Sequence, residues 1–459
     1  LRPFSGGWRD ACEIYRNWVK SDPAMKGKFA MPQWMEDSPV TIIYPVRGSG
    51  AIHDAPNAFL PYENAFPRLM ELAAGFESRI MPLLMRWDHN GPWLPPYYWP
   101  PVGGVESFRK FRDMLHEAGH LLGVYGSGTT YTMKSLVNGY SGRERYENEG
   151  IGQITLRGPR GERSMAICKA IRDGEGLCVG ERKSRKILAE QVEILAREKV
   201  DFFQMMDQNL GGASFACYAK KHSHPPVPGR WQTAVMRTFL EELNDRIRKL
   251  DCEMILGTEC AAAGPYLSAM PFNDLRDLFA LRLGIPVPAY QYIFHAYANN
   301  FFGNQCVVWS CIDCAKCPDN LQFRLARAFC SGEMLTVTLR DSGEIDWGAA
   351  ADWSKPAPAQ APVIALVKTF NALRRRYPQY LMRGEMVKSE HKLECGKYVL
   401  PLLQGDSQEY PAIASGAWRA PDGSIAEFFV NFREEEAEFT LDGKKIKLPP
   451  LSVHVLEPR

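Results

Sequence analysis

Much is missing from this chain, and each absence narrows what it can be. No apolar run approaches 18 residues, so no membrane-spanning helix is encoded. No charge of one sign dominates: 55 Lys and Arg stand against 53 Asp and Glu, a net charge of +2. Without a basic field, nucleic-acid binding is not expected. Cysteine is too sparse for a disulfide scaffold, at 12 in 459 residues. Cys12, Cys252 and Cys330 fall in apolar segments where a thiol behaves as a small hydrophobe, so mostly reduced thiols are expected. Internal repeats and low-complexity tracts are absent. The first residues, Leu1-Arg-Pro-Phe, show no signal-peptide pattern and leave the localisation open.

What is present is an average globular composition, 45% apolar and 24% charged, with 11 Trp, 18 Tyr and 23 Phe. Those aromatics suit sugar stacking and suit any large core equally. At 459 residues the chain exceeds one ordinary core, which points to a large domain with a smaller one. Short apolar strands alternate with amphipathic helices about eight times between residues 38 and 378. Among the strands are Pro39–Pro45, Arg79–Trp87, Leu121–Tyr125, Val200–Met206, Cys252–Thr258, Val287–Tyr297 and Met334–Leu339. This pattern predicts an α/β fold, a (β/α)8 TIM barrel with insertions. The rival, a doubly wound open sheet, expects a glycine-rich phosphate turn after its first strand, and Pro45-Val-Arg-Gly-Ser-Gly50 has no following G-x-x-G helix. From residue 379 short strands with turns such as Pro421-Asp-Gly423 and Asp442-Gly443 predict a C-terminal antiparallel β-sandwich over 379–459. Residues 1–37 hold a first helix, with Trp8, Cys12, Tyr15, Trp18 and Val19 on one face, and a linker. The Gly126–Glu181 stretch reads as a long insertion of the kind that forms functional lids.

Chemistry concentrates at strand ends. The run Val200-Asp-Phe-Phe-Gln-Met-Met-Asp207 is nearly all apolar until Asp207, and Gly211-Gly212 opens the following loop. Cys252-Glu-Met-Ile-Leu-Gly-Thr-Glu259 repeats the pattern. Carboxylates at the C-terminal ends of consecutive parallel strands are what a glycosidase needs, one as nucleophile and the other as general acid/base. The plainer reading is two strand-end carboxylates that cap helices or pair with Arg. Trp87, Asp88, His89 and Trp93 follow the second strand and Tyr125 ends the third; they are expected to stack on pyranose rings and to bond hydroxyls, or to seal the barrel mouth. Asn209, His222 and His224 after the Asp207 strand, and His295 and Tyr297 at the end of Val287–Tyr297, complete the expected substrate contacts.

Two motifs suggest metals and are set aside. His116-Glu-Ala-Gly-His120 matches H-E-x-x-H, but Gly119 reads as a helix terminator between the two His, and a zincin needs both on one helix. Cys306, Cys311, Cys314 and Cys317 contain an iron–sulfur-like spacing, yet Cys306 falls in an apolar strand. His222-Ser-His224 offers no further ligand nearby in sequence. No metal and no cofactor are expected.

At these residues the sequence resembles a bacterial family of (β/α)8 glycosidases known largely as a domain of unknown function, distantly similar to the endo-α-N-acetylgalactosaminidases and the α-galactosidase clan. The matching residues are Gly7-Trp-Arg-Asp-Ala-Cys-Glu-Ile-Tyr-Arg-Asn-Trp18, Phe202-Phe-Gln-Met-Met-Asp207-Gln-Asn209, His222-Ser-His-Pro225, Thr258-Glu259 to Pro265-Tyr266, and Ser415-Gly-Ala-Trp418-Arg with Pro421-Asp-Gly423. They span essentially the whole chain. The resemblance implies Asp207 as nucleophile, since that clan uses the aspartate ending the fourth strand, and Glu259 as acid/base. It also implies a β-sandwich ahead of the first helix, without which Trp8 and Trp18 stand exposed. One departure is Met205, where the α-galactosidase pattern has Lys two positions before the nucleophile; the substrate therefore does not transfer. The expectation is a retaining hydrolase of an α-linked glycan, against an inverting enzyme with the same pair or a non-catalytic carbohydrate-binding barrel. Sugar, linkage, exo or endo action and oligomeric state stay open.

Overall fold

The structure is a computed structural model that describes residues 3–22, 25, 31–48, 55–91, 93–164, 171–206, 211–276, 284–302, 311–348 and 351–457. The principal strands are β1 (Val40–Pro45), β2 (Ile80–Met85), β3 (Gly123–Tyr125), β4 (Thr130–Ser135), β5 (Arg172–Gly176), β6 (Phe202–Met206), β7 (Ile255–Thr258), β8 (Phe301–Phe302), β9 (Met334–Leu339) and β10 (Ile345–Asp346). The principal helices between and around them are α1 (Trp8–Ser21), α2 (Phe66–Phe76), α3 (Val105–Glu117), α4 (Arg182–Arg197), α5 (Arg230–Arg248), α6 (Ala289–Phe294), α7 (Asn320–Cys330) and α8 (Gln360–Arg376).

One sheet runs in the order β10-β9-β1-β2-β3-β6-β7, with β8 also on β9. The pairs β1–β9, β2–β3, β3–β6, β6–β7 and β8–β9 are parallel. After β7 the parallel bonding goes on through a bridge between Glu259 and Asp274. This is a TIM-type sheet, built because strands such as Val40-Thr-Ile-Ile-Tyr are buried on both faces and need helices over them. The helices answer with one apolar face: in α2 that face is Leu69, Leu72, Ala73 and Phe76.

By compactness the chain divides into two units. One comprises Leu1–Ile43, Arg68–Ile80 and Leu275–Arg459; the other comprises Tyr44–Pro67 and Met81–Asp274. In the first, antiparallel strands follow the barrel sheet: β11 (Glu385–Val387), β12 (Leu393–Glu394), β13 (Lys397–Pro401), β14 (Ser407–Pro411), β15 (Ala414–Arg419), β16 (Ile425–Asn431), β17 (Ala437–Leu441), β18 (Lys444–Leu448) and β19 (Ser452–Leu456). They form the sheets β11-β15-β16-β19, β12-β17-β18 and β13-β14. Phe429 on β16 stacks on Phe439 of β17, and with Ile413, Ala437, Leu441 and Leu448 they make a sandwich core. The hairpin β17–β18 turns at Asp442-Gly443, both at positive φ, as a tight two-residue turn requires.

Two local expectations differ from what is seen. Where a strand is expected over residues 287–297, the chain forms the helix α6, Ala289–Phe294. Pro286 and Pro288 withdraw two donors from any ladder, while Tyr290 and Phe294, one turn apart, pack at 5.0 Å. In α1 the buried face is Cys12, Arg16 and Val19, with Trp18 turned outward at 59% exposure. Arg16 buries its charge by donating to the carbonyls of Tyr292 and Met386 and by lying 4.5 Å over the Tyr292 ring. Among the described residues of the 126–181 insertion, β4 and β5 form an antiparallel pair.

The H-E-x-x-H residues separate as expected. Helix α3 ends at Glu117, Gly119 takes φ +79, and His116 bonds the Asp201 carboxylate at 2.8 Å. Cys311, Cys314 and Cys317 gather no metal-ligating set among the described residues; the Cys317 thiol meets the Tyr398 hydroxyl at 2.9 Å. Cys306 lies outside the described residues. Among the described residues no helix is long and apolar enough to cross a membrane.

Candidate active site

The unit holding Tyr44–Pro67 and Met81–Asp274 brings Trp87, Asp88, Trp93, Tyr125 and Glu259 to the ends of β2, β3 and β7. Glu259 follows β7 directly and is buried. Its N–H donates to the Met206 carbonyl at 2.8 Å, so the end of β7 is locked beside the end of β6. The Tyr125 hydroxyl donates to Glu259 Oε2 at 3.4 Å. Immediately beyond, Cys260 and Ala261 take positive φ, and the Ala261 N–H turns back to the Asp274 carbonyl.

The loop after β6 passes so close to the loop after β7 that a Cβ on Gly211, itself at φ +74, would sit 2.9 Å from the Ala263 nitrogen. The Ala263 N–H donates to the Gly211 carbonyl at 2.9 Å. Asp207 and Asn209, which stand between Met206 and Gly211 in sequence, lie outside the described residues.

Trp87 is fully buried, and its indole N–H donates to the Tyr125 carbonyl at 2.7 Å, tying β2 to β3. Both Asp88 oxygens accept backbone N–H groups, from Leu94 at 3.1 Å and Trp93 at 3.4 Å. Asp88 therefore organises the 88–94 loop. Burial raises its carboxyl to about 6, against the opposing pull of Arg47 and those two N–H groups. Arg47 donates to the Asp88 carbonyl at 2.6 Å. Trp93 sits at φ +58, half-buried, with Arg86 5.1 Å over its ring and its carbonyl accepting from Arg172. His89 is exposed. A polar cleft of about 460 Å³ opens beside this loop, lined by Asn90, Tyr97, Tyr140 and Arg145 among others; neither Asp88 nor Glu259 lines it.

The remaining expected contacts lie elsewhere. His295 belongs to the other unit, where it is buried at the end of α6 with its ring nitrogens facing the carbonyls of Gly384 at 3.0 Å and Gly332 at 3.1 Å. It packs 4.5 Å from Trp418, and burial lowers its pKa to about 4. Tyr297 is half-buried in the same unit. His222 and His224 sit together in the loop between β6 and α5, and they meet two residues that the sequence had not singled out, Cys178 and Cys217. Cys217 stands only five residues before His222, so a further ligand is near in sequence after all, while Cys178 comes from a distant segment.

The parallel strands with helices over them define the chain as a TIM-type barrel protein, a fold whose enzymes carry their sites at the C-terminal ends of the strands. The chain belongs to the family described as Domain of unknown function (DUF6259), whose model matches residues 1–305. No curated protein sequence matches it. Among solved structures it is similar to the α-N-acetylgalactosaminidase NagBb from Bifidobacterium bifidum in complex with Gal-NHAc-DNJ. The TM-score is 0.62 at 16% identity, over 92% of this chain and 62% of that one. It is also similar to the acarbose-soaked debranching enzyme from Nostoc punctiforme (TM-score 0.57, 12% identity, 94% and 100% coverage). A third is the cyclic α-maltosyl-(1→6)-maltose hydrolase from Arthrobacter globiformis (TM-score 0.52, 13% identity, 93% and 99%). The chain thus spans a little under two thirds of the length of NagBb. At these identities the likeness establishes the fold.

Proposed function

We propose that the chain is a retaining glycoside hydrolase acting on an α-linked glycan, with Glu259 as general acid/base and Asp207 as nucleophile. The observation that carries this reading is the placement of Glu259. It is a buried carboxyl at the C-terminal end of a barrel strand, bonded by a phenol and anchored to the residue that precedes Asp207. The three similar structures named above are hydrolases or debranching enzymes by name, two of them on α-linked sugars, which supports the substrate class.

In this reading the Asp207 carboxylate attacks the anomeric carbon while the Glu259 carboxyl gives its proton to the departing glycosidic oxygen. The Glu259 carboxylate then takes a proton from water as that water attacks the glycosyl–Asp207 ester, releasing the sugar with its configuration retained. Trp93 and His89 stand on the loop held by Asp88 and face the sugar.

The test is hydrolysis of a panel of α- and β-linked glycans and aryl glycosides by wild type, Asp207→Asn and Glu259→Gln. Wild type is expected to cleave an α-linked member with retention, read by NMR of the first-formed anomer. Glu259→Gln is expected to lose about 10²–10⁴-fold in kcat. Inversion of the anomer selects direct attack by water and removes the covalent step. Sugar binding without turnover at any pH assigns a binding barrel instead, and equal rates for wild type and Asp207→Asn remove Asp207 from the chemistry.

A further inference from the structure

We propose that Cys178, Cys217, His222 and His224 form a closed, structural zinc site that clamps the insertion to the loop between β6 and α5. Such a site does not depend on the glycosidase reading. Cys178 lies just past β5, at the end of the insertion; the other three lie in the loop that follows β6. One potential ligand atom from each of the four falls within 4.8 Å of all the others. Cys178 Sγ is 3.2 Å from His224 Nε2, Cys217 Sγ is 3.5 Å from His222 Nδ1, and the two ring nitrogens are 3.2 Å apart. Zinc bonds of about 2.3 Å to sulfur and about 2.0–2.1 Å to nitrogen, set tetrahedrally, require ligand-to-ligand edges of about 3.3–3.8 Å. Of the three edges given, 3.5 Å falls inside that range and the two of 3.2 Å just below it.

The outward-facing nitrogens decide what the inward-facing ones can do. His222 Nε2 lies 2.9 Å from the Gln153 carbonyl, and His224 Nδ1 lies 2.8 Å from the Pro225 carbonyl. A carbonyl only accepts, so each outer nitrogen carries the hydrogen, and each inner nitrogen of a neutral ring presents a lone pair. Two lone pairs therefore point at one another among two thiols. A cation at their centre, with both thiols ionised, converts that repulsion into four bonds, and the second-sphere carbonyls hold the rings in place. Two thiolates with one divalent ion are neutral overall, which suits a centre with both cysteines buried.

The donor set chooses the metal. Two sulfurs and two imidazoles in a tetrahedron favour zinc and disfavour the oxygen-seeking calcium and magnesium. Four protein ligands leave no position for substrate or water, so the ion is structural. The surroundings are made to fit. Leu156 and Ala219 pack with the two cysteines, with Phe215 and Trp231 against them. Trp231 stacks on the His224 ring at 3.9 Å. Gly180 is bare because a Cβ there would stand 2.4 Å from His224 Cδ2. A ring nitrogen bound to zinc, with the other on a carbonyl, leaves neither His222 nor His224 for sugar hydroxyls, so this assignment replaces the substrate role expected from sequence.

The experiment is metal analysis of the full chain, purified under reducing conditions without chelator, beside Cys217→Ser, His224→Ala and the conservative His222→Cys. About one zinc per chain is expected in wild type and in His222→Cys, and none in the other two. Removing the ion with a chelator is expected to lower the melting temperature, and cobalt added back is expected to give tetrahedral bands with thiolate charge transfer. If the two deletion variants fail to fold, the cobalt spectrum of wild type alone decides. Metal-free wild type that develops no such spectrum overturns the proposal. So does zinc retained equally by folded Cys217→Ser and His224→Ala, or a Cys178–Cys217 disulfide in the freshly isolated protein.

Discussion

Tyr125, the last residue of β3, places its hydroxyl 3.4 Å from Oε2 of Glu259, the first residue after β7. These are not neighbouring strands; β6 lies between them. A phenol that reaches across a strand to a buried carboxyl orients it, and its removal should be felt where that carboxyl works. A hydrogen bond to a charged group contributes about 1.5–3 kcal/mol, so Tyr125→Phe is expected to lower kcat about ten- to a hundredfold. KM should stay within a small factor, and the melting temperature should hardly move. Unchanged kcat in a folded variant would separate Tyr125 from the working of Glu259.

The second prediction concerns pH. Burial lifts Asp88 from 3.8 to about 6, which means that the folded protein prefers its carboxyl neutral. The stability it contributes is fully present below pH 3.8 and is lost as pH rises through about 6. A rise of this size corresponds to about 3 kcal/mol. Asp88→Asn keeps an acceptor for the Leu94 or Trp93 N–H and cannot titrate. Urea unfolding of both proteins at about pH 4 and about pH 7 should therefore show the variant gaining on wild type at the higher pH, by up to about 3 kcal/mol. A pH-independent difference would mean that Asp88 is not desolvated as its surroundings imply.

A third prediction tests the close approach beneath the site. Gly257 lies two residues before Glu259 in β7, and a Cβ there would stand 2.4 Å from the Phe272 carbonyl oxygen and 2.6 Å from the Phe202 ring. Backbone cannot step aside as a side chain does. Gly257→Ala is expected to cost about 1–3 kcal/mol in urea unfolding and to lower activity by moving Glu259. Full stability would show that β7 and the 272 segment are free to separate.

The barrel was legible because its strands announce themselves locally. Val40–Tyr44 and Phe202–Met206 are continuous apolar runs, and such a run is explained only by cover on both faces. Glu259 was legible for the same reason, as the charge at which an apolar run stops. The mistaken strand at 287–297 shows the limit of that signal. Six residues rich in aromatics read as either element, and the withdrawal of donors by Pro286 and Pro288 was the cue for the helix. In α1 the apolar stripe was seen, but which edge of it is buried turned on Arg16, whose carbonyl partners lie at Tyr292 and Met386, far along the chain.

By itself, then, the amino-acid order determined the repeating strand–helix plan, the antiparallel C-terminal region, the break at Gly119 that parts His116 from His120, and the strand-end position of Glu259. Each depends on residues within a few positions of one another, where periodicity and backbone preference suffice. The tertiary structure alone decided that Tyr125 meets Glu259, that His295 serves packing beneath Trp418, and that Cys178 arrives beside Cys217, His222 and His224. Those encounters depend on how distant segments are brought together by burying their apolar faces, and no local pattern in the chain encodes the distance between two atoms on different strands.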